Sequence, residues 1–290
     1  MFPKQFDYYE ASNVAEAFDL MDEHSDENAE LLAGGHSLLP TMKSGLASPD
    51  ALIDIGGIAD LRGIEEDGDS TRIGALTHYA DIADHDGLHE HAPALADAAS
   101  QVGDVQVRNR GTIGGNLAHA DPASDLPGAA LAADATLLLE SRDGSREVPA
   151  DEFFLGMYAT DVGPGELVTG VRVPHEDSAG GAYAKKPSPS SGYAMVGVAA
   201  TVEVEDGTVT SARIGANGAM DHGVRLQPVE DELVGGPATE DAAEAAGEHA
   251  ADDLDVDFMM DDNQASAEFR AQLLSVYTGR AVAAAIERAT

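Results

Sequence analysis

Residues 108–127 read RNRGTIGGNLAHADPASDLP, and the fold turns on how this stretch is taken. Gly111, Gly114 and Gly115 fall within five residues, with Asn116 directly behind them. Glycines at this density reach positive φ and let bare N–H groups come up against a ligand. Several such groups turned inward make an anion-binding nest, the usual way a loop holds a phosphate. Thr112 and Asn116 add side-chain donors, and Asp125 offers an acceptor for a hydroxyl. The natural guest carries phosphate and a polyol.

A single glycine pair is equally a tight turn between strands. The pattern G-x-G-x-x-G occurs nowhere in the chain, and neither does the lysine-bearing phosphate loop. A second cluster alters the balance. Residues 31–40, LLAGGHSLLP, are an apolar run ending in Gly34-Gly35 followed by His36 and Ser37. Two such loops can hold the two phosphates of a dinucleotide between them. Gly35-His36-Ser37-Leu38-Leu39 also approaches a serine nucleophile elbow, but Leu39 stands where the final glycine is needed. Ser37 therefore reads as a cap or phosphate ligand, and His36 as a donor mainly through its backbone.

Working outward, residues 7–10 are a strand, and Ser12-Asn13 cap a helix carrying Val14, Ala17, Phe18 and Met21 to about Glu23. Residues 31–33 and 51–55 are strands with a short helix or turn over 38–46 between them, a small α/β unit. Residues 61–64 and 71–76 flank the Asp67-Gly68 turn, and Thr77 caps a helix from His78. His85, His89 and His91 have helical metal-ligand spacing, but their acidic neighbours favour a solvated surface. Residues 93–102 and 126–133 are helices, 135–140 a strand, 151–154 a short helix and 167–173 a strand stopped by Pro174. Residues 177–191, rich in Ser, Pro and Gly, read as a connection. Asp206-Gly207 is a strong hairpin signal between strands at 193–204 and 209–215. Residues 239–262 are acidic without one Lys or Arg, and a last helix at 268–288 shows Phe269, Leu273, Val276, Tyr277 and Ala281 on one face.

Composition narrows the function classes. The chain has 53 acidic and 16 basic residues, a formal charge of −37, which repels nucleic acid. At 43% hydrophobic content with recurring strand patterns it is not a disordered acidic chain. A folded protein adapted to high salt is the expectation. There is no cysteine, so any iron–sulfur cluster must sit on another polypeptide. No apolar run approaches the ~20 residues of a membrane span, and MFPKQFDYYE is not a secretory signal. The expectation is a soluble, cytoplasmic protein.

The order and spacing of the two loops resemble the FAD-binding medium subunit of molybdenum hydroxylases, as in aerobic carbon monoxide dehydrogenase and the flavin domain of xanthine dehydrogenase. The likeness rests on AGGHSLLPTMKSGLASPDALIDI at 33–55 and QVRNRGTIGGNLAHADPASDLP at 106–127, with weaker matches at 165–174 and 183–200. It implies an α+β chain with a two-part FAD-binding domain of the vanillyl-alcohol-oxidase/PCMH type over 1–177. The parts divide at about 56, and a C-terminal sheet-and-helix domain follows at 178–290.

By this resemblance the diphosphate of FAD lies between Leu32, Ala33, Gly34, Gly35, His36, Ser37 and Leu38 on one side and Val102, Gly103, Thr112, Gly114, Gly115, Asn116 and His119 on the other. Asp125 matches the acid that bonds a flavin hydroxyl, and Leu167 and Val168 match apolar positions near the ring system. Lys185 and Tyr193 match residues that close over the flavin. Taken singly, Asp125 is also a cap for the helix at Leu126, and Tyr193 a core residue at a strand start. The chain departs from the family at Gly45, where many relatives are basic, and at 186–192, where a basic cluster and an acid give way to Pro-Ser-Pro and Gly192.

No triad, metal site or acid–base pair stands out, as suits a protein whose cofactor carries the chemistry. The implied role is an electron relay. A molybdenum-cofactor large subunit oxidises the substrate, a 2Fe-2S small subunit passes the electrons on, and FAD here delivers them to an acceptor. The assembly implied is a dimer of heterotrimers. A stand-alone FAD-dependent reductase and a flavin-free scaffold subunit are the other readings.

Overall fold

The computed structural model describes residues 2–175 and 179–290, and these form three larger sheets and one two-stranded sheet. The first unit runs β1 (Asp7–Glu10), α1 (Val14–Glu23), β2 (Ala29–Leu32), α2 (Leu38–Ser44) and β3 (Ala51–Asp54). Its strands are parallel in the order β1-β3-β2, with Tyr9 and Leu31 both opposite Ile53. Asn13 caps α1 by accepting the Glu16 N–H at 2.9 Å, while the Glu16 carboxylate accepts the Ser12 N–H at 2.8 Å. The first bond satisfies an orphan donor of the helix's first turn, and the second ties the residue before the cap back to the helix. Ala17, Phe18, Ile53, Ile55, Leu61 and Leu76 form the unit's core, and Leu167 closes it from outside.

The second unit contains β4 (Ile64–Asp67), β5 (Ser70–Gly74), α3 (Tyr79–Ala83), α4 (Asp86–His91), α5 (Pro93–Gln101), α6 (Val105–Arg108), α7 (Ile113–His119), α8 (Leu126–Ala132), β6 (Thr136–Ser141), β7 (Gly144–Pro149), α9 (Ala150–Phe153), β8 (Phe154–Gly156), β9 (Ala159–Thr160) and β10 (Leu167–Pro174). Five strands make one sheet, β4-β5-β10-β6-β7, and β8 and β9 form a separate hairpin. Ile73, Leu95, Ile113, Leu117, Leu126, Leu137 and Phe153 fill the largest core, between this sheet and the helices.

The third unit has β11 (Ala179–Pro187), β12 (Ala194–Glu205), β13 (Thr208–Asn217), β14 (Val224–Arg225), α10 (Gln227–Leu233), α11 (Glu240–Gly247) and α12 (Ala267–Ala289). The four strands are neighbours in chain order, and Asp206 (φ 50°) with Gly207 (φ 77°) turn the β12–β13 hairpin. Positive φ at both central residues matches the right-handed twist of the strands. α12 packs against β11 and β12, while α5 and α8 of the second unit also meet this sheet. A Cβ on Gly215 would collide with the Gly128 carbonyl, so α8 lies on β13 at backbone contact.

Several expectations need correction. Residues 179–187, read as part of a connection, form β11, paired with β12 from Ala179↔Glu203 to Lys186↔Val196. Their small residues serve close packing: a Cβ on Gly180 would strike the Ala285 carbonyl of α12, and one on Gly181 would come 2.9 Å from Pro93 of α5. The boundary drawn between 177 and 178 lies outside the described residues. Of the face read on α12, Ala281 is buried and Leu273 and Tyr277 pack against the core, but Phe269 and Val276 are exposed, while Arg270, Leu274, Thr278 and Ala285 are buried instead. Thr77 caps no helix, because its hydroxyl exchanges hydrogen bonds with the Gly63 N–H and carbonyl. Leu61 belongs to a 3-10 turn before β4. His85 accepts the Leu88 N–H, His89 bonds the Ala83 carbonyl, and His91 stacks on His175 at 3.9 Å.

Candidate functional site

A cleft of about 610 Å³ runs between the β2–α2 loop and α7, with β10 and Ala75-Leu76, just past β5, behind it. The loop begins where β2 ends and turns at Gly35, whose φ of 72° suits glycine. The carbonyls of Gly35 and Ser37 feed α2 through the N–H groups of Leu39 and Thr41, both at 3.1 Å. The N–H groups of residues 34–38 find no protein acceptor among the described residues. Five consecutive open donors at a first helical turn and the bend before it make the kind of nest that receives an anion.

The facing stretch differs from its reading as a loop: Gly114 and Gly115 lie in the first turn of α7. The pair is divided in its duties. Gly114 donates to the Ala75 carbonyl at 2.8 Å, and a Cβ on it would stand 2.5 Å from that of Ala75. It packs α7 against the end of β5 and has no free N–H to give. Gly115 is exposed on the cleft, its N–H has no protein acceptor among the described residues, and its Cβ would lie 2.8 Å from Thr112 Oγ1. That Thr112 hydroxyl is buried without a partner among the described residues. The two loops touch directly, since a Cβ on Gly34 would run into the Arg110 carbonyl.

Asn116 is held from both ends. Its Nδ2 donates to the Tyr79 hydroxyl at 3.0 Å and its Oδ1 accepts from Ser124 at 2.8 Å. Burial keeps the Tyr79 phenol protonated, well above its ordinary range. On the opposite wall, Glu166 takes the Arg146 guanidinium at 2.7 Å and the Gly163 N–H at 2.6 Å. The Arg146 contact holds its carboxyl below the usual range against a smaller opposing effect of burial.

Leu32, Ala33, Gly34, Gly35, His36, Ser37, Leu38, Thr112, Gly114, Gly115, Asn116, His119, Leu167 and Val168 all line the cleft. Val102, Gly103, Asp125, Lys185 and Tyr193 stand off its wall. The Val102 carbonyl accepts from Arg108 at 3.1 Å, and Gly103 is exposed at φ 49°. Asp125 is 3% exposed and makes no side-chain cap for α8. Its Oδ1 accepts from the Tyr183 hydroxyl at 2.6 Å and its Oδ2 from Lys185 Nζ at 3.0 Å. Burial pushes the Asp125 carboxyl up, opposed by Lys185 and Tyr183. Tyr193 is 42% exposed, with its phenol raised by burial and by Asp121, Tyr158 and Asp125 nearby. His119, at the cleft's end, meets the Tyr158 ring at 5.0 Å, which links the cleft to the surroundings of Tyr193.

Sequence reasoning missed Tyr79, Ala75, Glu166, and the Met21, His24 and Leu31 wall. Tyr79 carries no motif, and its role appears only when α3 is laid beside α7. No Lys or Arg is among the residues lining the cleft, so an anion there must be held by backbone dipoles. A long cleft with a donor nest, an orphaned buried hydroxyl and apolar walls at Leu32, Leu167 and Val168 fits a dinucleotide such as FAD. Among the described residues no cluster could hold a metal ion, and no helix is long and apolar enough to cross a membrane.

Comparison with known proteins agrees. Residues 4–176 match the family described as FAD binding domain in molybdopterin dehydrogenase, and residues 181–285 match the CO dehydrogenase flavoprotein C-terminal domain. The chain is 39% identical over 251 residues to the carbon monoxide dehydrogenase medium chain of Hydrogenophaga pseudoflava, covering 86% of this chain and 87% of that one. It is 33% identical over 281 residues to the glyceraldehyde dehydrogenase medium chain of Sulfolobus acidocaldarius, covering 97% and 98%. The solved carbon monoxide dehydrogenase from Hydrogenophaga pseudoflava superposes with a TM-score of 0.93 at 38% identity, over 99% of both chains. Quinoline 2-oxidoreductase from Pseudomonas putida 86 gives 0.92 at 28% identity, over 100% of this chain and 99% of that one. The chain therefore belongs to the FAD-binding medium-subunit family of the molybdopterin dehydrogenases and is a flavin-containing oxidoreductase subunit.

Proposed function

We propose that this chain is the flavin subunit of a molybdenum hydroxylase complex, relaying electrons from iron–sulfur clusters on a partner subunit through FAD to an external acceptor. The observation that carries the reading is the row of open N–H groups at 34–38, on the same cleft as the free Gly115 N–H. These donors would hold the diphosphate, with Leu32, Leu167 and Val168 as the apolar wall. Asn116, fixed by Tyr79 and Ser124, would present a settled face to the cofactor. Val102 and Gly103 would flank the diphosphate on the side of Thr112 and His119, Asp125 would accept from a cofactor hydroxyl, and Lys185 and Tyr193 would close over the flavin, with Tyr193 offering an aromatic face. Bound flavin supplies the redox chemistry, while the protein supplies binding and orientation.

The designations medium chain and medium subunit borne by relatives support a large and a small partner. Those partners would be a molybdenum-cofactor large subunit and a 2Fe-2S small subunit, in a dimer of heterotrimers. Within this chain the FAD-binding domain would run over 1–177 and the C-terminal domain over 178–290. A cytoplasmic, high-salt setting completes the proposal.

The test compares the native assembly with the isolated chain. The assembly should contain FAD, molybdenum and iron. The isolated chain should bind FAD reducible by dithionite, yet leave carbon monoxide, purines and aldehydes unoxidised, since the relay reading places substrate oxidation on the molybdenum subunit. Turnover by the isolated chain would sink the relay reading. A flavin-containing native protein without molybdenum or iron would point to a stand-alone reductase, and a flavin-free assembly to a scaffold.

A further inference from the structure

The cleft has no lining Lys or Arg, yet Glu27, Glu30 and Glu166 all line it. Among the described residues only Glu166 of these three has an arginine against it. A diphosphate entering here adds negative charge to a wall that is already acidic, in a chain with a formal charge of −37. Peptide dipoles alone would have to outweigh that repulsion. Two cations without a carboxylate partner stand behind the nest.

A second cavity, of about 130 Å³, shares Leu32, Ala33, Gly34, Gly35, Leu76 and Thr112 with the cleft, so a single layer of chain divides the two. Arg62, His78 and Arg110 also line it. Arg62 is pinned at two points, Nη2 donating to the Gly56 carbonyl at 2.6 Å and Nη1 to His78 Nε2 at 3.1 Å. A guanidinium only donates, so Nε2 is the acceptor in the second bond. Neither contact brings a negative charge. The Arg110 side chain bonds no described residue, and its own carbonyl abuts Gly34. Asp54 is the one acid lining this cavity among the described residues. Its oxygens accept the Gly56 N–H at 2.7 Å and the Tyr8 hydroxyl at 2.6 Å, and neither guanidinium pairs with it. Two guanidiniums against one carboxylate leave the back of the nest positive.

We propose that Arg62 and Arg110 are the electrostatic backing of the diphosphate nest. They touch no cofactor atom; their charge, acting through the Gly34-Gly35 layer, offsets the acidic cleft and tightens the binding of a diphosphate. That the diphosphate belongs to FAD rests on the flavin reading above, whereas the backing itself does not. Unit charges one layer of chain apart, in an effective dielectric of about 20, alter binding several-fold. Both side chains are exposed, so salt should screen the effect.

The test measures the Kd of FAD and, separately, of inorganic diphosphate for the full chain, in about 0.1 M and about 1 M KCl, with sucrose present to hold the fold. At low salt Arg110→Gln, which breaks no side-chain bond, should weaken both ligands roughly threefold to tenfold, and Arg62→Gln should do the same. Arg62→Lys keeps the charge while losing the planar fork, and it should stay near wild type. In molar KCl the losses should shrink toward none.

Unchanged low-salt affinity in either Gln variant, for whichever of the two ligands the wild type binds, would overturn the proposal. So would losses that are equal at both salt concentrations, or an Arg62→Lys as weak as Arg62→Gln, since those mark a structural role. A wild-type chain that binds inorganic diphosphate but no FAD would overturn the flavin reading, with diphosphate deciding the backing. A wild-type chain that binds neither would overturn both.

Discussion

Gly114 and Gly115 are neighbours in sequence, yet a side chain at each would meet different surroundings. At Gly114 a branched side chain drives into Ala75 and breaks the 2.8 Å bond to the Ala75 carbonyl. Overpacking of this kind costs about 1–3 kcal/mol. Gly114→Val should therefore lower the melting temperature whether or not flavin is present. At Gly115 the nearest atoms are Thr112 Oγ1 at 2.8 Å and Ala33 Cβ at 3.6 Å, on an exposed position of the cleft. Gly115→Val should melt close to wild type and retain little FAD, read as flavin per protein after desalting. One-to-one flavin in a folded Gly115→Val chain would remove α7 from the diphosphate site. Glu166 supplies a second test at this scale. The Arg146 contact depresses its carboxyl below the ordinary 4.5, so the folded chain prefers the charged form. Its contribution is complete above 4.5 and is lost as pH falls through the depressed value. Wild type should be more stable than Glu166→Gln at neutral pH, and the difference should shrink on acidification well below 4.5. A difference that is constant with pH would show that the pair contributes nothing through charge.

At the scale of elements, α12 depends on a buried cation. Arg270 donates from Nη1 to the Met195 and Gly218 carbonyls, the latter at 2.7 Å, and from Nη2 to Asp262 at 2.8 Å. It ties the helix start to the ends of β12 and β13. Arg270→Met keeps the volume but strands two carbonyls and a carboxylate, and loss of one partner of such a set costs about 3–5 kcal/mol. Urea unfolding should show a lower midpoint with an unchanged slope, and a midpoint within error of wild type would refute the tie. Arg270 also explains why the buried face of α12 was only partly legible in sequence. Its apolar pattern finds buried Ala281 and the partly buried Leu273 and Tyr277, but Phe269 and Val276 are exposed, Thr278 and Ala285 are buried, and an arginine enters for its hydrogen bonds. β11 was hidden for a related reason, because Gly180 and Gly181 mark close helix contact and look in sequence like a linker. Where local chemistry decides, the reading succeeded: Asn13 caps α1, Asp206-Gly207 turns a hairpin, and both glycine clusters reach one cleft. The partition between Gly114 and Gly115, and the partners of Asp125, depend on elements far apart in the chain and have no local signal.

Across the whole molecule the excess of acid governs the response to salt. Arg142, Arg146, Arg172, Arg225, Arg270 and Arg288 are each paired with at least one carboxylate. With 53 acidic and 16 basic residues, most acids cannot have a cationic partner, and their mutual repulsion opposes the folded state. Two effects of salt then compete. Screening weakens the ion pairs, but most of those are partly exposed, and such pairs contribute only about 0–1 kcal/mol each. Screening also relieves the repulsion among a surplus of 37 negative charges, as the Debye length falls from about 10 Å at 0.1 M to about 3 Å at 1 M. The second effect involves many more charges and should win. The melting temperature of the purified chain should thus rise from dilute buffer to molar KCl. Sucrose at matched osmolality stabilises by exclusion without screening, so it should give a smaller rise. The increment specific to KCl should shrink in a variant whose exposed acids on α11, Glu240, Asp241 and Glu244, are changed to Gln or Asn, because part of the surplus is then gone. A melting temperature no higher in molar KCl than in dilute buffer would mean that the acidic surface is not an adaptation to salt.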